Sequence, residues 1–284
     1  MALSTSPVLI GQLTDTHVIA PLGETNESYV DNNARLDAAV ESINAESPGL
    51  DVVLVTGDLT DTAHPEAFVA LAASLERIEV RVLPLPGNHD RRSLVRDTFP
   101  DAGWVDGEHA SWVHDIDGVR IIGLDSTRPG YAGGEFDDER VAFLDAALAA
   151  RHDGPTLLAM HHPPFLTGID WMDGAGFVGL DRFTEVLAAH PGVVDRIVCG
   201  HLHRPAVSSV AGVAAQVGMS TVQHVALQLD DDGGPALIHD PVGYQIHRVT
   251  PGSIVTHARY IDTGAQPFVP AWAPNYDPAA PSDY

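Results

Sequence analysis

The sequence predicts an α/β fold. Short apolar runs alternate with amphipathic ones from residue 8 to about residue 200, turn pairs punctuate them, and 284 residues suffice to bury a core without disulfides or structural zinc. Val8–Leu13 reads as the first strand, and Asn33–Ala45 then places Leu36, Val40 and Ile43 on one helical face. Val52–Thr56 is a buried strand by its β-branched content. Pro65–Ile78 reads as a helix with proline in its first turn and Phe68, Leu71, Leu75 and Ile78 on the apolar stripe. Val80–Leu85 is a strand closed by Pro86-Gly87. Ser111–Ile116 and Val119–Leu124 flank Asp117-Gly118, a hairpin signal. Asp137–Arg151 is a helix, Thr156–Met160 a strand, Leu180–His190 a helix and Arg196–Cys199 a strand. After Pro205 the helix signals end, and turns at Gly212, Gly233-Gly234 and Gly252 predict a second, more antiparallel sheet. Residues 1–265 are expected to form a single domain, followed by a Pro/Ala/Asp-rich tail over 266–284.

Composition excludes several classes. Fifteen basic residues, all arginine, stand against thirty-nine acidic ones, a formal charge of −24. Such a surface repels a phosphate backbone, so neither nucleic acid nor an anionic membrane is an expected partner. A single cysteine, Cys199, excludes a disulfide framework and a thiolate zinc site; it reads as a buried strand thiol. No run approaches the ~20 apolar residues of a membrane span, and Met1–Pro7 lacks a signal-peptide pattern, so a cytoplasmic protein is expected. Fifteen histidines equal the whole arginine complement, a surplus of the commonest metal ligand and proton shuttle.

The polar residues concentrate where strands end. Five predicted strands run into Asp15-Thr16-His17, Gly57-Asp58-Leu59-Thr60-Asp61, Gly87-Asn88-His89-Asp90, His161-His162 and Gly200-His201-Leu202-His203. In open α/β sheets the carboxyl ends of the strands hold the ligand, so these termini side by side bring the groups into one crevice. Each pattern alone has a plainer reading as a cap or a turn; their joint occurrence points to a metal site. Carboxylate, amide and imidazole donors suit iron, manganese, cobalt or zinc better than calcium or magnesium. Seven donors exceed the capacity of one ion, and two ions divide them: Asp15, His17 and His203 on one, Asn88, His161 and His201 on the other, with Asp58 bridging. Paired ions of this kind clamp the attacking and leaving oxygens of a displacement at phosphorus.

These five blocks resemble those of the calcineurin-like metallophosphoesterases. Met160-His161-His162-Pro163-Pro164 and Trp171-Met172-Asp173 are most similar to the branch of class III cyclic nucleotide phosphodiesterases and glycerophosphodiesterases, over about residues 8–260. The resemblance implies a four-layer α-β-β-α sandwich of two mixed sheets. It places the family's metal ligands on the seven residues above, and implies His89 as the group that protonates the leaving alkoxide or binds the phosphoryl oxygen, with Asp61 orienting His89. The implied activity is hydrolysis of a small phosphodiester, a 3′,5′-cyclic nucleotide such as cAMP or a glycerophosphodiester, by hydroxide generated at two metal ions. A broad phosphomonoesterase and a non-catalytic metal-binding scaffold are the alternatives; retention of every ligand and of His89 disfavours the scaffold. Thr62-Ala63 and Asp90 depart from the protein phosphatase pattern. The substrate is the expected partner, and a homo-oligomer is compatible with the sequence. His162 reads as a supporting imidazole rather than a ligand. His224, His239, His247 and His257 read as surface groups, with His239 or His247 within reach of the pocket mouth. Trp171 and Phe177 read as a pocket wall, and Asp230–Asp232 as a solvated turn.

Overall fold

The computed structural model describes residues 6–20, 31–230 and 234–261. The tail over 266–284 and most of the Asp230–Asp232 turn lie outside the described residues. Its strands are β1 (Val8–Leu13), β2 (Val52–Thr56), β3 (Arg81–Leu85), β4 (Trp112–Ile116), β5 (Val119–Leu124), β6 (Gly134–Glu135), β7 (Thr156–Met160), β8 (Phe177–Val178), β9 (Arg196–Cys199), β10 (Ala206–Val210), β11 (Val213–Val217), β12 (His224–Val225), β13 (Leu237–Ile238), β14 (Gly243–Thr250) and β15 (Ser253–Tyr260). The helices are α1 (Asn32–Asn44), α2 (Pro65–Leu75), α3 (Arg92–Thr98), α4 (Asp138–Ala149), α5 (Asp170–Asp173) and α6 (Leu180–Ala189).

Helix ends follow local chemistry. The Asp31 carboxylate accepts from Ala34 N at 3.0 Å to start α1, and Asp137 does the same from Arg140 N for α4. Helix α2 begins at Pro65 behind a capping His64. Helix α3 was not expected. Its seven residues bury only Val95, too little for a 3.6-residue pattern to show. The Asp117-Gly118 turn has both residues at positive φ (48° and 86°), the conformation that matches strand twist in the β4–β5 hairpin.

Two mixed sheets form, in the orders β15-β14-β1-β2-β3 and β10-β11-β9-β7-β5-β4. Three clusters of buried side chains show how they stack. Val8, Ile10, Val52, Leu54, Leu83 and Leu85 of the first sheet meet Trp112, Ile121, Leu157, Ala159 and Val198 of the second. On the far side of the first sheet, Val53 and Val55 pack on Leu36, Val40, Phe68 and Leu71 of α1 and α2. Beyond the second sheet, Leu158 and Met160 pack on Leu144 of α4 and on Phe183 and Leu187 of α6. The order is helix, sheet, sheet, helix. Burial on both faces explains why β2 and β7 read as continuous apolar runs.

The chain after Pro205 corrects one expectation. It does not build a second sheet of its own: β10 and β11 extend the sheet of β9, whereas β14 and β15 extend that of β1. In the first sheet the parallel strands β1–β3 run out to the β3 edge and antiparallel β14 and β15 complete the other; in the second, β5, β7, β9 and β11 are parallel and antiparallel β4 and β10 form the edges.

Candidate metal centre

The five polar blocks meet at the carboxyl ends of β1, β2, β3, β7 and β9, at one end of the two face-to-face sheets. The Nε2 atoms of His17 and His203 are 3.1 Å apart. Asp58 Oδ2 lies 3.7 Å from His17 Nε2 and 3.3 Å from His161 Nε2, so it stands between the two halves of the cluster. Asp15 Oδ1 is 3.5 Å from His203 Nε2, and Asn88 Oδ1 is 3.1 Å from His161 Nε2. The His201 ring packs 5.2 Å from His161 and 4.7 Å from His162. All seven predicted donors are brought together, and Asp15, Asp58 and His161 are buried almost completely.

The local backbone is bent to do this. Asp15, His17, Asp58, His201 and His203 all take positive φ, between 42° and 71°. Non-glycine residues rarely adopt that conformation, and it persists where the surroundings over-determine it. Here the loops are laced together: Asp15 N donates to Gly57 O, His17 N to Asp58 O and Val18 N to Leu59 O, each at 3.0 Å. The Asp90 carboxylate accepts from the amides of Leu59, Thr60 and Gly87 and from the Thr60 hydroxyl. Burial, reinforced by the nearby Asp58 charge, pushes Asp90 up to about 6. That clamp joins the second and third blocks; the Gly-Asn-His-Asp motif marked Asp90 without revealing its partners.

The ring nitrogens define the chemistry of the cluster. Nδ1 of His203 faces the Gln223 carbonyl at 3.0 Å, Nδ1 of His161 the Thr56 carbonyl at 2.9 Å, and Nδ1 of His17 the Asp61 carboxylate at 3.0 Å. Each Nδ1 therefore carries hydrogen and donates, and each Nε2 turns its lone pair inward. Inside, lone pair faces lone pair between His17 and His203, and imidazole faces carboxylate and amide oxygen around His161. Such a set of acceptors at about 3 Å requires a cation among them, either a proton or a metal. The protonation pattern says the same. Burial opposes charge on His161, yet the Asp58 and Asp15 carboxylates lift it to about 9. Burial opposes ionisation of Asp58, but His161, His89 and His17 hold it well below the carboxylate range. Burial and the His161 charge lower His201 to about 3. Two imidazole nitrogens on one ion at bonds of about 2.1 Å sit roughly 3 to 3.5 Å apart, so the donor set fits metal ions.

Two expected roles change. The Asp61 carboxylate holds His17, not His89; what holds His89 is the Asp61 backbone carbonyl, 2.6 Å from its Nδ1. His247 is not at the surface or the pocket: it is wholly buried between the sheets, 3.1 Å from Gln12 Oε1. His224 is likewise buried, whereas His239 and His257 are exposed. His162 lies beside His161 and His201, but its Nδ1 meets the Ser126 hydroxyl and its Nε2 the Ala132 carbonyl, so both nitrogens are used. Cys199 is buried, and burial pushes its thiol up, as expected of an inert group.

The cluster opens into a cleft of about 570 Å³, with His89 at its wall and Trp171 opposite; Phe177 borders a smaller adjoining cavity. No helix among the described residues is long and apolar enough to cross a membrane.

The chain is similar to known proteins along most of its length. It is 30% identical to the probable glycerophosphodiester phosphodiesterase GpdQ of Arcobacter nitrofigilis over 264 residues, covering 92% of this chain and 96% of that one. It is 33% identical to a probable cyclic nucleotide phosphodiesterase of Rhodococcus erythropolis, covering 88% and 86%. The fold superposes on a dimetal phosphatase from Danio rerio with a TM-score of 0.67 at 14% identity, covering 89% and 96%. The calcineurin-like phosphoesterase profile matches residues 8–205, the span that contains every one of the strand-end blocks. With its four layers, its converging donors and this match together, the chain belongs to the calcineurin-like phosphoesterase family, whose members hydrolyse phosphoric esters with divalent metal ions.

Proposed function

We propose that this protein hydrolyses small phosphodiesters, cyclic nucleotides or glycerophosphodiesters, to a phosphomonoester and an alcohol. The observation that carries the proposal is the cluster of inward lone pairs from His17, His203, His161, Asp15, Asp58 and Asn88. Asp15, His17 and His203 would hold one ion, Asn88, His161 and His201 a second, and Asp58 both; iron, manganese, cobalt and zinc suit these donors. When bound, such a pair supplies Lewis acidity to the phosphoryl oxygens and brings the pKa of a water near neutrality.

The chain's own groups do the rest. Asp61 and the carbonyls of Thr56 and Gln223 fix the rings of His17, His161 and His203, so that each Nε2 points inward without reorganisation. His89 is anchored through Nδ1 to the Asp61 carbonyl, which leaves Nε2 as its working atom beside the His17 ring. As water attacks phosphorus and the P–O bond to the alcohol breaks, His89 gives its Nε2 proton to the leaving oxygen, and the proton lost by the attacking water passes to solvent.

The names of the similar proteins support a diester substrate. A panel of bis(p-nitrophenyl) phosphate, p-nitrophenyl phosphate, cyclic AMP and glycerophosphocholine, assayed with manganese, cobalt, iron or zinc, tests it. Turnover of diesters supports the reading. Turnover of the monoester alone overturns it in favour of a phosphomonoesterase, and no turnover with metal loaded favours a scaffold.

A further inference from the structure

The cleft is two-sided in its chemistry. Its polar groups gather around the histidine cluster, and most are already engaged: the Asp61 carboxylate by His17, and the Asn32 amide by the His17 carbonyl at 2.7 Å. Trp171, Met172, Ala132, Ala175, Val225 and Leu237 also line it, with Trp171 Nε1 and Gln223 Oε1 the buried side-chain polar atoms there that have no protein partner among the described residues. Among the described residues lining it there is no arginine, so no cation awaits a second anionic group on the substrate. The apolar surface continues outward. Leu237 is 53% exposed, while Leu227 and Leu229, just beyond its partner strand β12, are 58% and 67% exposed. At the smaller adjoining cavity Leu166 is 76% exposed, and the Leu229 Cδ2 atom lies 3.6 Å from where a Cβ on Gly168 would be, so the hairpin and the 165–168 loop approach each other. Large apolar side chains left in water over a continuous patch mark a binding surface. This one begins at the reacting centre, so what occupies it is covalently attached to the phosphorus held there.

We infer that the ester group that stays on phosphorus is an uncharged apolar group, an alkyl or acyl-bearing chain, that runs from the phosphoryl position past Trp171 and Leu237 onto this leucine rim. The inference rests on the diesterase reading and, among small phosphodiesters, favours those with such a chain over cyclic nucleotides. With a surface charge of −24 the chain is taken up as a single amphiphile, not from an anionic lipid surface.

A series of alkyl p-nitrophenyl phosphates, from methyl through butyl to octyl, assayed below their micelle concentrations, tests the inference with a constant leaving group. Each fully buried methylene adds about fourfold, and burial against a half-open rim adds less, so kcat/KM is expected to rise at least roughly tenfold from methyl to octyl. Calorimetric Kd values for the matching alkyl(methyl)phosphinates, which carry one charge and have no ester bond to break, should fall in step. Leu237→Glu should bring the octyl-to-methyl ratio toward one in both measurements. Val207→Glu, at a residue 78% exposed on edge strand β10 and outside the cleft, should leave that ratio as in the wild type. A flat series in a protein that does hydrolyse the methyl ester overturns the inference and leaves the diesterase reading standing. Failure to hydrolyse any diester overturns both.

Discussion

Two buried polar clusters among the described residues both contain imidazole and amide groups, and they differ in how well donors and acceptors match around the histidines. Between the sheets, Gln12 donates to Thr56 Oγ1 and to the Cys199 carbonyl, and its Oε1 meets His247 Nε2. Thr256 meets His247 Nδ1, Arg196 donates to Gln216 Oε1, and Gln216 Nε2 donates to Gln245 Oε1. One tautomer of His247, with hydrogen on Nε2 and the Thr256 hydroxyl donating to Nδ1, satisfies both ring nitrogens, and leaves only the 3.1 Å contact of that hydroxyl with Gln216 Oε1 short of a hydrogen. At the strand ends the fixed tautomers do the reverse and turn acceptor against acceptor. Burial of polar groups is therefore not what marks the functional region. The mismatch of donors and acceptors is, together with a backbone held in the left-handed region to create it.

The comparison can be broken most severely at Asp58, the carboxylate shared by both halves of the cluster. Asp58→Ala should cut kcat by about 10³-fold or more and reduce bound metal below two per chain, measured by turnover and elemental analysis on the same samples. Unchanged stoichiometry would show that Asp58 does not join the halves. His89→Ala should lower kcat by roughly 10² to 10⁴ while leaving the metal content at the wild-type value, because His89 gives a proton and no lone pair to the cluster. The loss should shrink for nitrophenolate leaving groups, which need little protonation. Asp61→Asn should weaken metal affinity by about 10- to 100-fold in titrations, since an amide no longer fixes the His17 tautomer as a carboxylate does.

The smallest effect belongs to the satisfied cluster. Burial, then the Arg196 charge, lowers His247 to about 3, well under its ordinary value of 6.5. Above pH 6.5 the group is neutral whether folded or not and costs nothing. As pH falls from 6.5 toward 3 the unfolded chain takes up a proton that the folded one refuses, so stability declines by up to about 1.4 kcal/mol per pH unit from this residue. His247→Gln should flatten the urea-unfolding free energy over that window with little change in turnover at neutral pH. An unaltered slope would mean that His247 is solvated.

Much of this was legible in the chain. The alternation of β2, α2, β3, α4 and β7 is local, and the rule that ligands gather at strand carboxyl ends was enough to assemble Asp15, His17, Asp58, Asn88, His161, His201 and His203. The four layers came from family resemblance, because no periodicity reveals which face of one sheet meets another. What stayed hidden depends on contacts distant in sequence. Nothing local tells β14 to pair with β1, 235 or so residues away, while β11 pairs with β9; both are short alternating strands. Asp61 could be placed in the site but not assigned to His17, and the Gln223 and Thr56 carbonyls that fix two histidines carry no side-chain signature at all. His247 was misplaced because Gly243–Thr250 alternates like a half-exposed strand, whereas packing against the second sheet buries its polar side too.

The mismatched acceptors at the strand ends require cations among them. Crystals grown with manganese and measured for anomalous scattering test this directly. Two peaks are predicted, one among Asp15, His17, Asp58 and His203, the other among Asp58, Asn88, His161 and His201. A single peak, or an empty cluster with these side chains turned apart at saturating manganese, would contradict it.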